Sequence, residues 1–258
     1  MTLSVPPARR ILAVAALTVL LAACAHSGPR NPLATWVPSK NFDERRPVVI
    51  VLHYTEQDSV EQSLDTLRSR NSGGRVSSHY LLGKDGKTYQ LVSDAKRAWH
   101  AGAGRWGAIT DVNNASIGIE IDNDGKSPFP DAQIDSLIVL LRDLTTRLRI
   151  PPTQIIGHSD LAPTRKIDPG PLFPWKRLHD AGFGLWPADA TQDPPAGFDP
   201  WLALQAIGYS TDNRADTVRA FHHRFRGMEG TELDAQDLRI LHALTRTADT
   251  TPPAPPSP

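Results

Sequence analysis

The hydrophobic pattern along this chain changes period several times, and each change marks an element. Val48-Val49-Ile50-Val51-Leu52-His53-Tyr54 is a short apolar run rich in β-branched residues, as a buried strand is, and its last-but-one residue is a histidine. Ser59 with Gln62 three residues on is a capping box, which opens a helix with Val60, Leu64 and Leu67 as apolar positions. His79–Leu82 and Thr88–Val92 flank Lys84-Asp85-Gly86-Lys87, and Asp-Gly between two apolar runs predicts a hairpin. From Ser116 to Asp122 the pattern alternates with period two, so the isoleucines face one side and Glu120 the other. Asp131 is placed to cap a helix in which Ile134, Leu137, Ile138, Leu141, Leu144 and Leu148 recur at helical spacing until Pro151 and Pro152 stop it. Gln154-Ile155-Ile156-Gly157 is a further short strand, delivering His158 at its end as the first strand delivers His53. Strands and helices interleave with one hairpin, which predicts an α/β fold with a mixed central β-sheet flanked by helices. After the linker Thr191–Gly197, apolar positions at Trp201–Ile207, at Val218, Phe221 and Phe225, and at Leu233, Leu238, Leu241 and Leu244 predict a small all-α C-terminal helical module.

The two ends read differently. Arg9 and Arg10 precede an apolar stretch from Ile11 to Ala23, the charged start and short hydrophobic core of an export signal, and too short for a spanning helix. Residues 24–45 lack periodicity and are expected to act as a tether. The main domain is expected over residues 46–188, the helical module over 198–246, and a disordered Pro-rich tail over 247–258. The 28 basic and 28 acidic residues balance, and no Lys/Arg cluster offers a nucleic-acid footprint. The single cysteine, Cys24, excludes an intramolecular disulfide.

The candidate chemistry concentrates in Gly157–Gly170, GHSDLAPTRKIDPG, which brings His158, Lys166 and Asp168 into one loop. Imidazole nitrogen and carboxylate oxygen suit zinc, and a catalytic zinc takes three protein ligands and keeps one position for water. His53, held at the end of a buried strand, is the best candidate for the third ligand. Each residue also has a plain structural reading. Alone, His53 is a satisfied core histidine, Lys166 and Asp168 a surface ion pair, and Glu120 a solvated strand position. The pairing of His53 with the 158–168 loop reverses that balance for His53. His79, embedded in a strand, is expected to be structural or to orient a ligand. His222 and His223 are expected on a solvated helix face.

With those segments in view, the chain resembles the zinc-dependent N-acetylmuramoyl-L-alanine amidases, which share the fold of phage T7 lysozyme and the peptidoglycan recognition proteins. The strand ending LHYT, then SSHYLLGKDG, AWHAG, SIGIEID and GHSDLAPTRKIDPG carry the resemblance in order, over roughly residues 46–185. It implies zinc held by His53, His158 and Asp168, with Glu120 moving the proton of the attacking water and Lys166 stabilising the oxyanion. Where phage-type members place an assisting tyrosine, this chain has Ser78. Trp99 and His100 are expected along the substrate groove, or as a packed pair. Arg165 is expected to reach a peptide carboxylate, or to be a solvated loop charge. Leu21-Ala22-Ala23-Cys24 resembles a bacterial lipobox, which implies lipidation at Cys24 and, with the C-terminal module, likeness to Gram-negative outer-membrane lipoprotein amidases facing the periplasm. The module resembles a peptidoglycan-binding module through LQAIGY, with a stabilising spacer bundle as the other reading. The expected substrate is the amide between N-acetylmuramic acid, or its anhydro form, and the L-Ala of the stem peptide. The expected partners are peptidoglycan and its muropeptides, and the membrane through the lipid, with no nucleic acid and a monomeric state. A non-catalytic peptidoglycan receptor and a zinc peptidase cutting within the stem are the alternatives.

Overall fold

The chain enters the fold along a sheet edge. In the computed structural model, which describes residues 30–44, 47–71, 74–187 and 189–247, Thr35–Trp36 forms β1 and Asp43–Glu44 forms β2 before the apolar run emerges as β3, Val49–Tyr54. Ser59 caps α1 (Val60–Arg68) by accepting the Gln62 N–H at 3.3 Å, as the capping pair predicts. A small β4–β5 pair (Arg70–Asn71, Gly74–Arg75) precedes the hairpin of β6 (Tyr80–Leu82) and β7 (Thr88–Gln90). Its turn passes through Gly86 at φ +82°, a left-handed backbone that glycine adopts without a Cβ clash. β8 (Lys96–Arg97) pairs with β2, α2 (Val112–Ala115) is a single turn, and the alternating segment forms β9 (Ser116–Ile121). In α3 (Asp131–Leu148), Asp131 is the first helical residue and Pro130 stands at the cap without a side-chain acceptor, one position earlier than expected. β10 (Ile155–Gly157) runs straight into the one-turn α4 (His158–Leu161), and α5 (Trp175–Asp180) follows. The module comprises α6 (Pro200–Ile207), α7 (Arg214–Phe225) and α8 (Ala235–Thr247).

Six strands form one mixed sheet in the order β1-β7-β6-β9-β3-β10, with β9, β3 and β10 mutually parallel and β7 antiparallel to β6. The period-two pattern sorts the two faces. Ile50, Leu52, Ile117, Ile119, Ile121 and Ile155 point to the face covered by Ile134, Leu137, Leu141 and Leu144 of α3. Val49, Val51 and Ile156 point to the other face, and His53 and His158 continue that side two residues further on. Glu120 pairs in register with His53. Three parallel strands therefore release their functional residues at one carboxyl edge, where open α/β sheets bind ligands.

The helical module closes the second face. Leu204, Ile207, Tyr209, Phe221, Phe225, Leu241 and Leu244 join Val49, Val51 and Ile156 in one apolar cluster, so the three helices share a core with the sheet. That burial overturns the expectation for His222 and His223, which are 2% and 3% exposed. α7 is the inner helix, packed on more than one side, and its histidines donate inward or sideways to Asp237 (2.9 Å) and Glu229 (2.8 Å). The expected tether also differs over its described part. Asn31 bonds Gln90 and Asp143, β1 pairs with β7, and Ser39 and Asn41 are buried, so residues 31–44 belong to the sheet edge. A two-residue pairing carries no periodic signal, which is why the sequence pattern does not show it. The export signal, Cys24 and the Pro-rich stretch from residue 248 lie outside the described residues.

Candidate metal centre

His53, His158 and Asp168 converge although 115 residues separate the first from the last. His53 Nδ1 lies 2.9 Å from His158 Nδ1, and Asp168 Oδ2 lies 3.0 and 3.1 Å from those two nitrogens. All three side chains are buried. The hydrogen bonds behind the rings fix which nitrogen carries the proton. His158 Nε2 faces the Ala101 carbonyl at 2.9 Å, which can only accept, so Nε2 is protonated and Nδ1 presents a lone pair. His53 is fixed through a longer chain. Ser116 gives its hydroxyl proton to the Val112 carbonyl at 2.6 Å, so its oxygen accepts from His100 Nε2 at 3.0 Å. His100 Nδ1 then accepts from His53 Nε2 at 3.0 Å, and His53 Nδ1 is left as a lone pair. Two imidazole lone pairs and a carboxylate oxygen thus face one another with no proton among them. Such a set is repulsive unless a cation sits in it, and backing hydrogen bonds of this kind orient metal-ligating histidines.

The charge states of these groups are set by burial and by one another. Burial, and then the neighbouring His158, lower the His53 pKa to about 4, so the ring is neutral at pH 7. For Asp168, burial works upward, but His158 and His53 outweigh it and hold the carboxyl well below the usual range. Glu120 is raised to about 8, by burial first and by the Asp168 charge second, with Lys166 opposing. All of these groups line one cavity of about 730 Å³, with Trp99, His100 and Arg165 in its wall. Sequence reasoning and structure therefore place the same eight residues together.

Their local settings differ from expectation in detail. His100 is 8% exposed and bonded through both ring nitrogens, so its principal contact is with His53. Gly118 makes this possible: a Cβ there would overlap the His100 ring, so only glycine leaves the ring its place across β9. His79 is structural, accepting the Gly118 N–H and donating to the Lys96 carbonyl. Ser78 is buried and donates to the Gly118 carbonyl at 2.7 Å. Lys166 sits in a turn, where the Arg165 and Lys166 amides both reach back to the Ala162 carbonyl. Arg165 donates to the Ala101 and Ala103 carbonyls at 2.6 Å each, which binds the 158–168 loop to the AWHAG segment. Trp99 is flanked by Arg75 at 4.5 Å and Arg97 at 5.1 Å. The sequence reading missed Tyr54, Arg75 and Asn113 in the cavity wall. Asn113 accepts the His100 and Ala101 amides, a role that a lone Asn in a loop does not advertise.

Known proteins resemble this chain along most of its length. The family model for N-acetylmuramoyl-L-alanine amidase matches residues 43–171. The N-acetylmuramoyl-L-alanine amidase AmiD of Escherichia coli (strain K12) is 40% identical over 278 residues, covering 92% of this chain and 97% of that protein. The chain belongs to the N-acetylmuramoyl-L-alanine amidase family. Its likeness to the 1,6-anhydro-N-acetylmuramyl-L-alanine amidase AmpD of Enterobacter cloacae, 41% over 104 residues, spans 40% of this amidase and 56% of that one. Among solved structures, E. coli AmiD in complex with anhydro-N-acetylmuramic acid-L-Ala-D-gamma-Glu-L-Lys matches with a TM-score of 0.69 at 34% identity, over 85% of this amidase and 93% of that chain. AmpDh3 of Pseudomonas aeruginosa in complex with anhydromuramic pentapeptide matches with a TM-score of 0.69 at 30% identity, over 87% and 97%. Coverage of that extent takes in the C-terminal helices as well as the sheet.

Proposed function

We propose that this amidase is a zinc hydrolase that cuts the amide between N-acetylmuramic acid, or its anhydro form, and the L-Ala of the stem peptide during peptidoglycan turnover. The observation that carries this is the convergence of three proton-free acceptors, two imidazole and one carboxylate, at the head of an open cavity. That donor set fits zinc, and His53, His158 and Asp168 would hold it. When bound, zinc would polarise the scissile carbonyl and make water acidic enough to attack at neutral pH.

The remaining work falls to this chain's own groups. Glu120 takes the proton of the attacking water and passes it to the nitrogen of the leaving L-Ala, since an amine leaves poorly unprotonated. Burial and Asp168 raise its pKa, and positive charge beside Asp168 would oppose that rise. The Lys166 ammonium, in the same cavity wall, stabilises the oxyanion of the tetrahedral state. Water adds across the C–N bond, and the products are the lactyl carboxylate and a free stem peptide. Trp99 and Arg165 line the groove that the substrate occupies.

The export signal and the lipobox-like Cys24 support an outer-membrane lipoprotein facing the periplasm, held to the bilayer by its lipid. No helix among the described residues is long and apolar enough to cross a membrane. Mass spectrometry of digested muropeptides tests the reaction. Free stem peptides are the expected product; shortened peptides would point to a stem peptidase, and unchanged muropeptides with retained binding to a receptor.

A further inference from the structure

The turn that carries His158 is held from the C-terminal module. Asp160, two residues after that histidine, is 1% exposed. One carboxylate oxygen accepts the Gly157 amide and an Arg224 N–H, each at 2.7 Å, and the other accepts the Tyr209 hydroxyl at 2.5 Å. Arg224 and Tyr209 are themselves 3% and 2% exposed. A second Arg224 N–H reaches the Ile155 carbonyl at 3.0 Å, and the guanidinium stacks on Trp175 at 4.3 Å. The same turn reaches Asp168, because the Ser159 amide donates to the Asp168 carbonyl at 2.8 Å. Gly157 and Gly208 leave room for these contacts: a Cβ at Gly157 would lie 2.8 Å from Pro169, and one at Gly208 would lie 2.5 Å from Trp106, which packs edge-on to Tyr209.

We propose that Arg224 and Tyr209 are positioning residues for the reaction, through which the C-terminal module holds the Gly157–Asp160 corner and thereby two of the three metal-binding side chains. The proposal rests on the zinc reading above. Arg224 balances the one carboxylate that closes the corner, and its fork ties that carboxylate to the last strand. A rigid corner places His158 and the Asp168 backbone without either module residue touching the metal or the substrate. Supports of this kind act on metal affinity and on ligand geometry. The module is thus part of the catalytic apparatus, whatever it contributes to binding the wall.

The test uses the full zinc-loaded chain, with Tyr209→Phe, Arg224→Lys and, as a control elsewhere in the module, Arg239→Ala, which breaks an exposed pair with Asp193. Three quantities are read: the rate of zinc transfer to a chelator in excess, the visible spectrum of the cobalt(II)-substituted protein, and kcat and KM on a soluble muropeptide. Tyr209→Phe and Arg224→Lys are expected to release zinc about 10-fold faster, shift the cobalt bands and lower kcat with little change in KM. Arg239→Ala is expected to match wild type. If Arg224→Lys does not fold, Asp160→Asn/Arg224→Leu removes both buried charges, and it too should release zinc faster. Folded variants with wild-type zinc release and cobalt spectra would overturn the proposal, even if they melt lower. A wild-type chain that takes up no zinc would overturn the reading of the centre, and this proposal with it.

Discussion

Two buried groups of histidine and aspartate lie among the described residues, and their hydrogen bonds are arranged in opposite ways. At the sheet edge, His53, His158 and Asp168 direct acceptors at one another, while every ring proton points outward to His100 or to the Ala101 carbonyl. In the module, His222 directs its ring N–H at Asp237, which also receives an Arg226 guanidinium and the Asp234 amide. The first cluster has surplus lone pairs and a cavity beside it; in the second, donors already meet the carboxylate. Residue type alone does not make a metal site. What makes one is acceptors that converge with their protons turned away, and the second cluster lacks that property.

The largest effects should come from breaking the first cluster. Alanine at His53, His158 or Asp168 is expected to abolish zinc occupancy and to lower activity at least about 10³-fold, because residues that act as a unit fail together. His222→Leu should keep one zinc per chain and near-normal turnover while lowering the melting temperature. Metal analysis beside a muropeptide digest reads both. Zinc retained by any of the three alanine variants, or lost from His222→Leu, would erase the distinction between the clusters.

The contrast also explains which parts were legible in the sequence. His53, Glu120 and His158 could be read because strand parity decides their face, and parity is visible in Val49-Val51-His53 and in the isoleucines around Glu120. The hairpin and the α1 start were legible because turn and cap chemistry are local. The place of His100 in the cavity wall was legible, but its hold on His53 was not, because that task depends on the gap at Gly118 and on Ser116, neither of which is its neighbour in sequence. His222 and His223 looked like surface residues because helical spacing reveals one apolar face and not the packing of α7 against the rest of the fold. Residues 31–44 pair too briefly to show a period.

Within the first cluster, binding and chemistry should separate. Glu120→Gln keeps an isosteric side chain and removes the proton acceptor, so zinc content should stay at wild-type level while kcat falls about 10²–10⁴-fold. An active, zinc-replete Gln variant would remove Glu120 from proton transfer. The next effect in size concerns the proton chain behind His53. His100→Ala breaks the link that keeps the His53 lone pair pointed inward and should weaken zinc binding about 10–100-fold, with a smaller loss of kcat at saturating zinc. Competition titration against a chelator measures this. If His100→Ala binds zinc as wild type does but raises KM, His100 belongs to the substrate groove instead.

The smallest expected effect is on stability in the metal-free protein. His53 has a folded pKa of about 4 against an ordinary value of 6.5, with burial and His158 as the leading causes. Between those values the unfolded chain binds the proton more readily than the native one, so acid favours unfolding. This contribution is complete above about pH 6.5 and declines as the pH falls toward about 4. The loss across that window should be on the order of 1–3 kcal/mol, read from urea unfolding of chelator-treated protein at several pH values. In His53→Ala the slope of stability against pH should be shallower over the same interval. An unchanged slope would mean that His53 is not held neutral by its surroundings, and the tautomer chain from Val112 through Ser116 and His100 would lose its explanatory role.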